Sequence, residues 1–267
     1  METFKRLHDR REVALVAFTT CGDPSPEASL EVVKALIRGG ADIIELGVPF
    51  SDPIADGPVI QASSLRALNA GTTPAKVLEV VRAIRCESDL PIVLLTYYNL
   101  VFRMGLEFFG EAASEAGVDG LVVPDLPVEE ANDYLRNMRN HGLDTIFLAA
   151  PSTSIHRLEG ILSATSGFLY LVSLYGVTGT RETLDKATTE LVRRLSAHLA
   201  GRLPLAVGFG ISKPEHVESL VTAGADGVIV GSVFVKTVQQ HQHDLAKALR
   251  QVEVQASMLK AGTIKLG

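Results

Sequence analysis

The sequence contains no tryptophan and only two cysteines, Cys21 and Cys86. So few thiols provide no disulfide framework, and their spacing is not that of a zinc site, which is typical of a cytoplasmic protein. Long hydrophobic runs are also missing, since no stretch approaches the roughly 18 apolar residues of a membrane-spanning helix. The apolar segment near the N-terminus is too short for a secretory signal. We therefore expect a cytoplasmic protein without a membrane span.

Positive charge is scarce as well. The 267 residues include 25 lysines and arginines against 31 aspartates and glutamates, so the formal net charge is -6. A nucleic-acid-binding surface normally needs a basic face, and this balance argues against a nucleic-acid partner. A phosphorylated small molecule is still compatible with it, because backbone N–H groups bind phosphate without lysine or arginine.

No linker, charge block or low-complexity tract divides the chain, and we expect a single domain over residues 1–267. Within it, short runs of branched apolar residues alternate with longer segments of helical periodicity. Eight such runs are candidate strands: Val13–Thr20, Asp42–Val48, Ile92–Asn99, Gly120–Asp125, Thr145–Ala150, Phe168–Ser173, Leu203–Gly210 and Gly227–Ser232.

The segments between these runs carry helix-start signals. Ser25 and Thr73 each precede a proline, a pattern typical of a capping residue and the first helical turn. Ser212 and Glu215 have capping-box spacing. Strand followed by helix, eight times, predicts an α/β protein with eight parallel strands ringed by helices, a (β/α)8 TIM barrel. The alternative is a doubly wound open sheet, which often carries GxGxxG after its first strand, and that motif is absent here.

An acid interrupts the second predicted strand. Alternation puts Ile44, Leu46 and Val48 on one face and Glu45 on the other, which we expect to be the barrel interior near its carboxyl end. Complete burial raises a carboxyl pKa by as much as about 3–5 units, into the range useful for general acid–base catalysis. The alternative is a structural acid paired with a buried cation, but none of the eight runs contains lysine or arginine.

Two more acids, Asp52 and Asp56, follow in a loop that Pro53 and Gly57 stiffen. Asp52 is better explained as a turn-forming residue that hydrogen-bonds its own backbone. For Asp56, a turn and a chemical role remain equally open. A carboxylate cluster that binds Mg²⁺ is a third interpretation, although no further ligand is evident.

Glycines mark the ends of the last three predicted strands, in "YGVTGT", "VGFGIS" and "IVGS". Barrels often keep a phosphate site after the seventh and eighth strands, where Gly210, Gly231 and Ser232 would supply backbone donors. Apolar residues at other strand ends are interpreted as an apolar pocket or as core: Phe18, Leu95, Tyr170 and Phe209. No lysine is placed inside the barrel for Schiff-base chemistry, and the scattered histidines predict no metal site.

The stretch "ELGVPFSDPIADGPVIQ" closely resembles the signature of the tryptophan synthase alpha chain family. In the same order, "FTTCGDPS", "LTYYNLVF", "VPDLPVEE", "SLYGVTGTR", "GFGIS" and "VGSVFVK" are similar to that family too. The resemblance implies a (β/α)8 barrel that cleaves indole-3-glycerol phosphate to indole and glyceraldehyde 3-phosphate in L-tryptophan biosynthesis. It also implies a tryptophan synthase beta chain as partner in an alpha2beta2 heterotetramer. That partner carries pyridoxal phosphate, and no cofactor is implied for this chain.

The family's two catalytic carboxylates match Glu45 and Asp56, and Asp52 matches an edge that faces the beta chain. Leu174 and Tyr175 stand where some members have an Arg-Ala pair, and this difference bears on loop closure. The resemblance implies a phosphate site formed by Gly179, Gly210, Gly231 and Ser232. It implies an indole pocket formed by Phe18, Ile60, Leu95, Val122, Tyr170 and Phe209. Thr178 matches the threonine of the family's mobile loop.

The implied chemistry gives the two acids different roles. Glu45 would donate a proton to indole C3 and take one from a hydroxyl, while Asp56, kept ionised, would stabilise positive charge at the ring nitrogen. Three other hypotheses stay open: a free-standing lyase that needs no beta chain, a non-catalytic subunit that activates a partner, and a Mg²⁺-dependent lyase or isomerase.

Overall fold

The computed structural model describes residues 2–172 and 186–265. Its strands form one sheet in which every pairing is parallel. They are β1 (Ala14–Thr20), β2 (Ile43–Gly47), β3 (Ile92–Leu95), β4 (Gly120–Val122), β5 (Asp144–Ile146), β6 (Leu148–Ala149), β7 (Leu169–Val172), β8 (Leu205–Gly208) and β9 (Gly227–Val230).

The strand order is β5-β4-β3-β2-β1-β9-β8-β7-β6, which closes a barrel. Only Phe147 separates β5 from β6, and the two are parts of the predicted fifth strand. In-and-out alternation continues through it, because Ile146 and Leu148 face the lumen while Phe147 packs outside. Only the pairing partner changes, from β4 to β7. The predicted eight-stranded TIM barrel is therefore confirmed, with the fifth predicted strand divided into β5 and β6.

Helices surround the strands. They are α1 (Glu2–Asp9), α2 (Pro26–Arg38), α3 (Pro58–Asn69), α4 (Pro74–Arg85), α5 (Tyr98–Met104), α6 (Leu106–Ala116), α7 (Asn132–Asn140), α8 (Ile155–Ala164), α9 (Lys186–Leu199), α10 (Pro214–Thr222), α11 (Ser232–Gln240) and α12 (Leu245–Ala261). None of them, within the described ranges, has the length and hydropathy to cross a membrane.

Two of the predicted helix starts are confirmed and one is wrong. The Ser25 hydroxyl accepts a hydrogen bond from a backbone N–H of α2, and Thr73 does the same for α4. Ser212 does not cap α10, which begins at Pro214 with Lys213 at the cap position and no side-chain cap bond. The proline fixes the first helical turn one residue later than the capping-box spacing implied.

The barrel has an outer and an inner core. Ile44, Leu46 and Val48 pack between the sheet and its helices, whereas Ile43 joins a separate cluster inside the lumen. This is the alternation expected of a parallel barrel strand. It confirms that Glu45 faces the barrel interior.

Three aspartates repeat one contact at the amino-terminal end of the barrel. The backbone N–H of Asp42 donates to the Leu15 carbonyl (2.9 Å), and its Oδ2 accepts from the Leu15 N–H (2.8 Å). Asp119 makes the same two bonds with Ile92, and Asp226 makes them with Leu205. We call these the aspartate clamps. Each ties the residue before one strand to the start of the neighbouring strand.

Candidate active site

Glu45 is the middle residue of β2 and is 1% exposed. Neither of its carboxylate oxygens has a hydrogen-bond partner among the residues that the structure describes. Burial raises its pKa to about 8, and the nearby charge of Asp56 acts in the same direction. The Tyr170 hydroxyl is near enough to lower this pKa in part without reaching hydrogen-bonding geometry. At neutral pH Glu45 therefore holds a proton that it can exchange with a bound molecule.

Asp56 lies in the loop between β2 and α3 and is partly buried. The Tyr97 hydroxyl donates a hydrogen bond to its Oδ2 (3.0 Å), and Gln61 Nε2 donates to its backbone carbonyl (2.8 Å). Burial raises the pKa of Asp56 to about 6, with the Tyr97 hydrogen bond acting against the rise. Asp56 is thus mainly ionised at neutral pH while Glu45 is mainly protonated.

Tyr97 is a site residue that the sequence reasoning missed. It is 1% exposed, and its ring stacks on Phe50 with centroids 5.0 Å apart. Besides donating to Asp56, its hydroxyl accepts from the Ala55 N–H (3.1 Å). The available signal was its place two residues after the end of β3, at the barrel end where chemistry is found.

Asp52 takes no part in this arrangement. It is exposed, its carbonyl accepts from the Ile54 N–H (2.9 Å), and its carboxylate accepts from the Ser51 hydroxyl. These local bonds fit a turn-forming aspartate. Across the described parts of the chain, no three His, Cys, Asp or Glu side chains are grouped as metal ligands would be.

Phe18, Ile60 and Leu95 come together in one apolar cluster beside the two acids. Glycines on both neighbouring strands make room for the Phe18 ring. A Cβ on Gly47 would come within 2.7 Å of that ring, and one on Gly231 within 2.8 Å. Such distances exclude a side chain at either position unless Phe18 moves. The ring is therefore held in a slot between β2 and β9.

Val122 and Tyr170 belong to the lumen cluster. Leu95 packs against this cluster and also against the cluster that contains Phe18 and Ile60. Phe209 lies elsewhere. It is partly buried against the outer core, because the residue before it, Gly208, takes the inward position at the end of β8. Five of the six apolar residues are therefore in the lumen or at its mouth, and Phe209 is on the outer side.

Gly231 is the N-cap of α11, and Ser232 is its first residue. The first N–H groups of a helix have no intrahelical partners, so they are donors for an anion at the barrel mouth. Gly210 follows β8, is exposed, and has a positive φ of 65° with open space where a Cβ would be. Thr178 and Gly179, with Leu174 and Tyr175, lie outside the described residues.

The fold and the site together define a class of protein. The molecule is a (β/α)8 barrel with two carboxyl groups of different pKa, an apolar slot and the N-terminus of a helix at the carboxyl ends of its strands. That arrangement is typical of an acid–base enzyme that acts on a small phosphorylated substrate with an apolar part.

Comparison with known proteins identifies the particular family. Residues 4–264 match the family model described as tryptophan synthase alpha chain. A tryptophan synthase alpha chain of Solibacter usitatus is 50% identical over 97% of this chain and 96% of its own length. A tryptophan synthase alpha chain of Methanosarcina barkeri is 49% identical over 98% of this chain and 95% of its own length.

Solved structures agree. Tryptophan synthase from Mycobacterium tuberculosis matches with a TM-score of 0.88 and 36% identity, over 100% of this chain and 98% of that one. The structure of the Pyrococcus furiosus tryptophan synthase a2b2 complex matches with a TM-score of 0.87 and 44% identity, over 93% of this chain and 98% of that one. The chain belongs to the tryptophan synthase alpha chain family, which confirms the resemblance found in its motifs. The alpha subunit of this family catalyses cleavage of indole-3-glycerol phosphate in tryptophan biosynthesis.

Proposed function

We propose that this chain cleaves indole-3-glycerol phosphate to indole and glyceraldehyde 3-phosphate by general acid–base catalysis, with Glu45 moving the protons and Asp56 stabilising the charge. One observation carries the assignment of roles. Glu45 is buried without a hydrogen-bond partner among the described residues and has a pKa near 8, beside an Asp56 whose pKa is near 6. Two acids in such unlike surroundings take unlike roles.

The carbon–carbon bond to be broken joins indole C3 to the glycerol phosphate chain. Protonated Glu45 first donates its proton to C3, and positive charge then develops at the ring nitrogen. The resulting Glu45 carboxylate removes the proton from the adjacent hydroxyl of the chain. The bond electrons return to the ring as the aldehyde forms, which releases indole and leaves Glu45 protonated for the next turnover.

Asp56 acts on the charged ring. Its carboxylate accepts a hydrogen bond from the indole N–H and stabilises the cation that forms when C3 is protonated. The Tyr97 hydroxyl bond supports this role, because it directs the Asp56 carboxylate and opposes its protonation.

The rest of the mouth binds the two ends of the substrate. The indole ring occupies the apolar space bounded by Phe18, Ile60, Leu95, Val122 and Tyr170. Phe209 would join them only with a side-chain position different from the present one. The phosphate is bound by backbone donors at the start of α11 and the adjoining loops, formed by Gly179, Gly210, Gly231 and Ser232. Gly179 and Thr178 lie outside the described residues, and their roles rest on the family resemblance alone.

We propose a tryptophan synthase beta chain as the partner, in an alpha2beta2 heterotetramer. The related Pyrococcus furiosus protein is an a2b2 complex. Large apolar side chains stand exposed near the barrel mouth of the present chain, with Ile54 81%, Phe102 66% and Phe108 61% exposed. An apolar surface beside the indole-releasing end is what an obligate partner would cover.

The alpha reaction requires no cofactor in this chain, and pyridoxal phosphate belongs to the beta chain. We also propose that residues 1–267 form one catalytic domain. The pairing of Glu12 with Ile264, which brings the two ends of the described chain together, supports this. A cytoplasmic location is proposed as well, in keeping with two free cysteines, one buried and one exposed.

The test is indole release from indole-3-glycerol phosphate by the purified chain, with and without a beta chain. Activity that rises on titration with the beta chain supports the complex, whereas high unaided turnover supports a free-standing lyase. No indole under either condition would leave only a non-catalytic subunit. The same assay with a metal chelator tests the Mg²⁺ alternative, and loss of activity in the presence of the chelator would refute the metal-free mechanism.

A further inference from the structure

The start of helix α3 lies next to one of the two site acids and carries a residue of the apolar slot. Asp56 lies two residues before its first residue, Pro58, and Ile60 on its first turn lines the apolar slot. Yet its N-cap, Gly57, makes no side-chain cap bond, and the first turn contains no acid. The usual side-chain contacts that fix a helix start are therefore missing here.

Polar contacts further along the helix fix it instead. Arg66 Nε donates to Asp23 Oδ1 and its Nη2 to Asp23 Oδ2, both at 2.8 Å. One turn earlier, the Ser63 hydroxyl lies 2.6 Å from the hydroxyl of Thr20, the last residue of β1. We call these four residues the α3 clasp. It joins the middle of α3 to the end of β1, the strand that holds Phe18.

The clasp is buried enough to hold its geometry. The Asp23 side chain is 3% exposed and that of Arg66 is 22%, while Ser63 and Thr20 are inaccessible or nearly so. A two-pronged arginine–carboxylate pair fixes orientation as well as distance. Removing one member of a buried pair leaves an uncompensated charge, so this contact resists separation far more than an exposed ion pair does.

We propose that Asp23 and Arg66 are positioning residues, whose ion pair holds α3 against β1 and thereby sets the places of Asp56 and Ile60 at the barrel mouth. Arg66 lies about two helical turns beyond Pro58, so it acts through the helix and touches neither acid. The inference rests on the proposed function. A misplacement of about 1 Å is enough to reduce turnover by about 100-fold.

The clasp affects one acid and leaves the other alone. Glu45 is on β2, whereas Asp56 is attached to α3 through the loop and through its bond with Gln61. The groups around Asp56 are Glu45 from β2, Tyr97 after β3 and Tyr170 from β7. Movement of α3 would lengthen the Tyr97–Asp56 bond, so the Asp56 pKa would rise.

The experiment compares Arg66→Ala, Arg66→Lys and the milder Ser63→Ala with wild type. The readout is kcat/KM for indole-3-glycerol phosphate from well below the Asp56 pKa to well above that of Glu45. We expect Arg66→Ala to lose about 10- to 100-fold, with Arg66→Lys recovering part of it. The acid limb of the profile should move to higher pH in all three variants, and the basic limb should stay in place.

Arg202→Ala is the matched control. Arg202 forms a two-pronged pair with Glu159 at an exposed site away from the mouth, and its loss should leave kcat/KM unchanged. Indole binding by calorimetry is a readout that needs no catalysis, and Arg66→Ala should weaken it because Ile60 is displaced.

The positioning role would be overturned if Arg66→Ala lowered the melting temperature alone. In that case kcat/KM, the affinity for indole and the acid limb of the pH profile would all stay like wild type. Weakened indole binding by Arg66→Ala would support that role even if the wild type failed to cleave the substrate. Such a failure would count against the proposed function alone.

Discussion

Asp42, just before β2, and Glu45, within β2, are three residues apart, and their carboxyl groups have opposite surroundings. Asp42 accepts the Leu15 N–H and pairs with the Lys260 ammonium at 2.9 Å. Burial raises the pKa of Asp42, but both of these partners act against the rise. Glu45 is more deeply buried and has no such partner among the described residues.

The difference separates acids that tie neighbouring strands together from the acid to which we assign the proposed chemistry. At the amino-terminal end, each of the three aspartate clamps pairs its carboxylate with a backbone N–H of the preceding strand. At the mouth, burial raises the pKa of Glu45, and the nearby Tyr170 hydroxyl offsets that rise only in part. A group held unsatisfied inside a fold lowers stability, and a functional role explains why it is there.

The largest expected effect is on turnover. Glu45→Gln keeps the shape of the side chain but removes the exchangeable proton, so kcat for indole release should fall by about 100- to 10,000-fold. Asp56→Asn should also lose most activity. Circular dichroism and phosphate binding should stay like wild type in both variants. Wild-type-like turnover by Glu45→Gln would remove the proposed proton carrier.

The second effect concerns stability and has a defined pH window. The folded-state pKa of Glu45, about 8, lies above its ordinary value of 4.5. Stability is therefore full below the ordinary value and declines as pH rises towards 8. Glu45→Gln should abolish that decline, with a relative gain in unfolding free energy of at most about 5 kcal/mol above pH 8. Urea melts across this range measure it, and a gain that does not depend on pH would contradict the explanation.

Asp226→Ala provides the counterpart at the other end of the barrel. It removes the acceptor for the Leu205 N–H and leaves that buried donor unpaired. The unfolding free energy should fall by about 1–3 kcal/mol, while kcat/KM at a temperature where the variant is folded stays unchanged. A loss of turnover without a loss of stability would mean that the two ends are not separate in function.

Tyr97→Phe should have the smallest effect. It removes the hydrogen bond that opposes protonation of Asp56, so the acid limb of the kcat/KM profile should move above pH 6. The basic limb, which Glu45 sets, should stay near pH 8. Parallel movement of both limbs would show that Tyr97 does not act on Asp56 alone.

Local rules predicted the barrel and the orientation of Glu45, because strand alternation and helix caps depend on neighbours in sequence. The same alternation puts Phe209 outside, since Ala206 and Gly208 take the inward positions of β8. Its place in the indole pocket stays a prediction. The Tyr97–Asp56 bond and the α3 clasp join residues about 40 positions apart. Such contacts depend on how strands and loops meet in three dimensions, which neither periodicity nor spacing encodes.

The most direct test of the account is the pKa of the Glu45 carboxyl itself. Carbon-13 NMR of glutamate-labelled protein, with Glu45→Gln used to assign the signal, follows its titration. The account predicts a midpoint near 8, with Glu45 protonated at neutral pH. A midpoint near the ordinary glutamate value of 4.5 would contradict it, because an acid already ionised at neutral pH has no proton to give to indole C3.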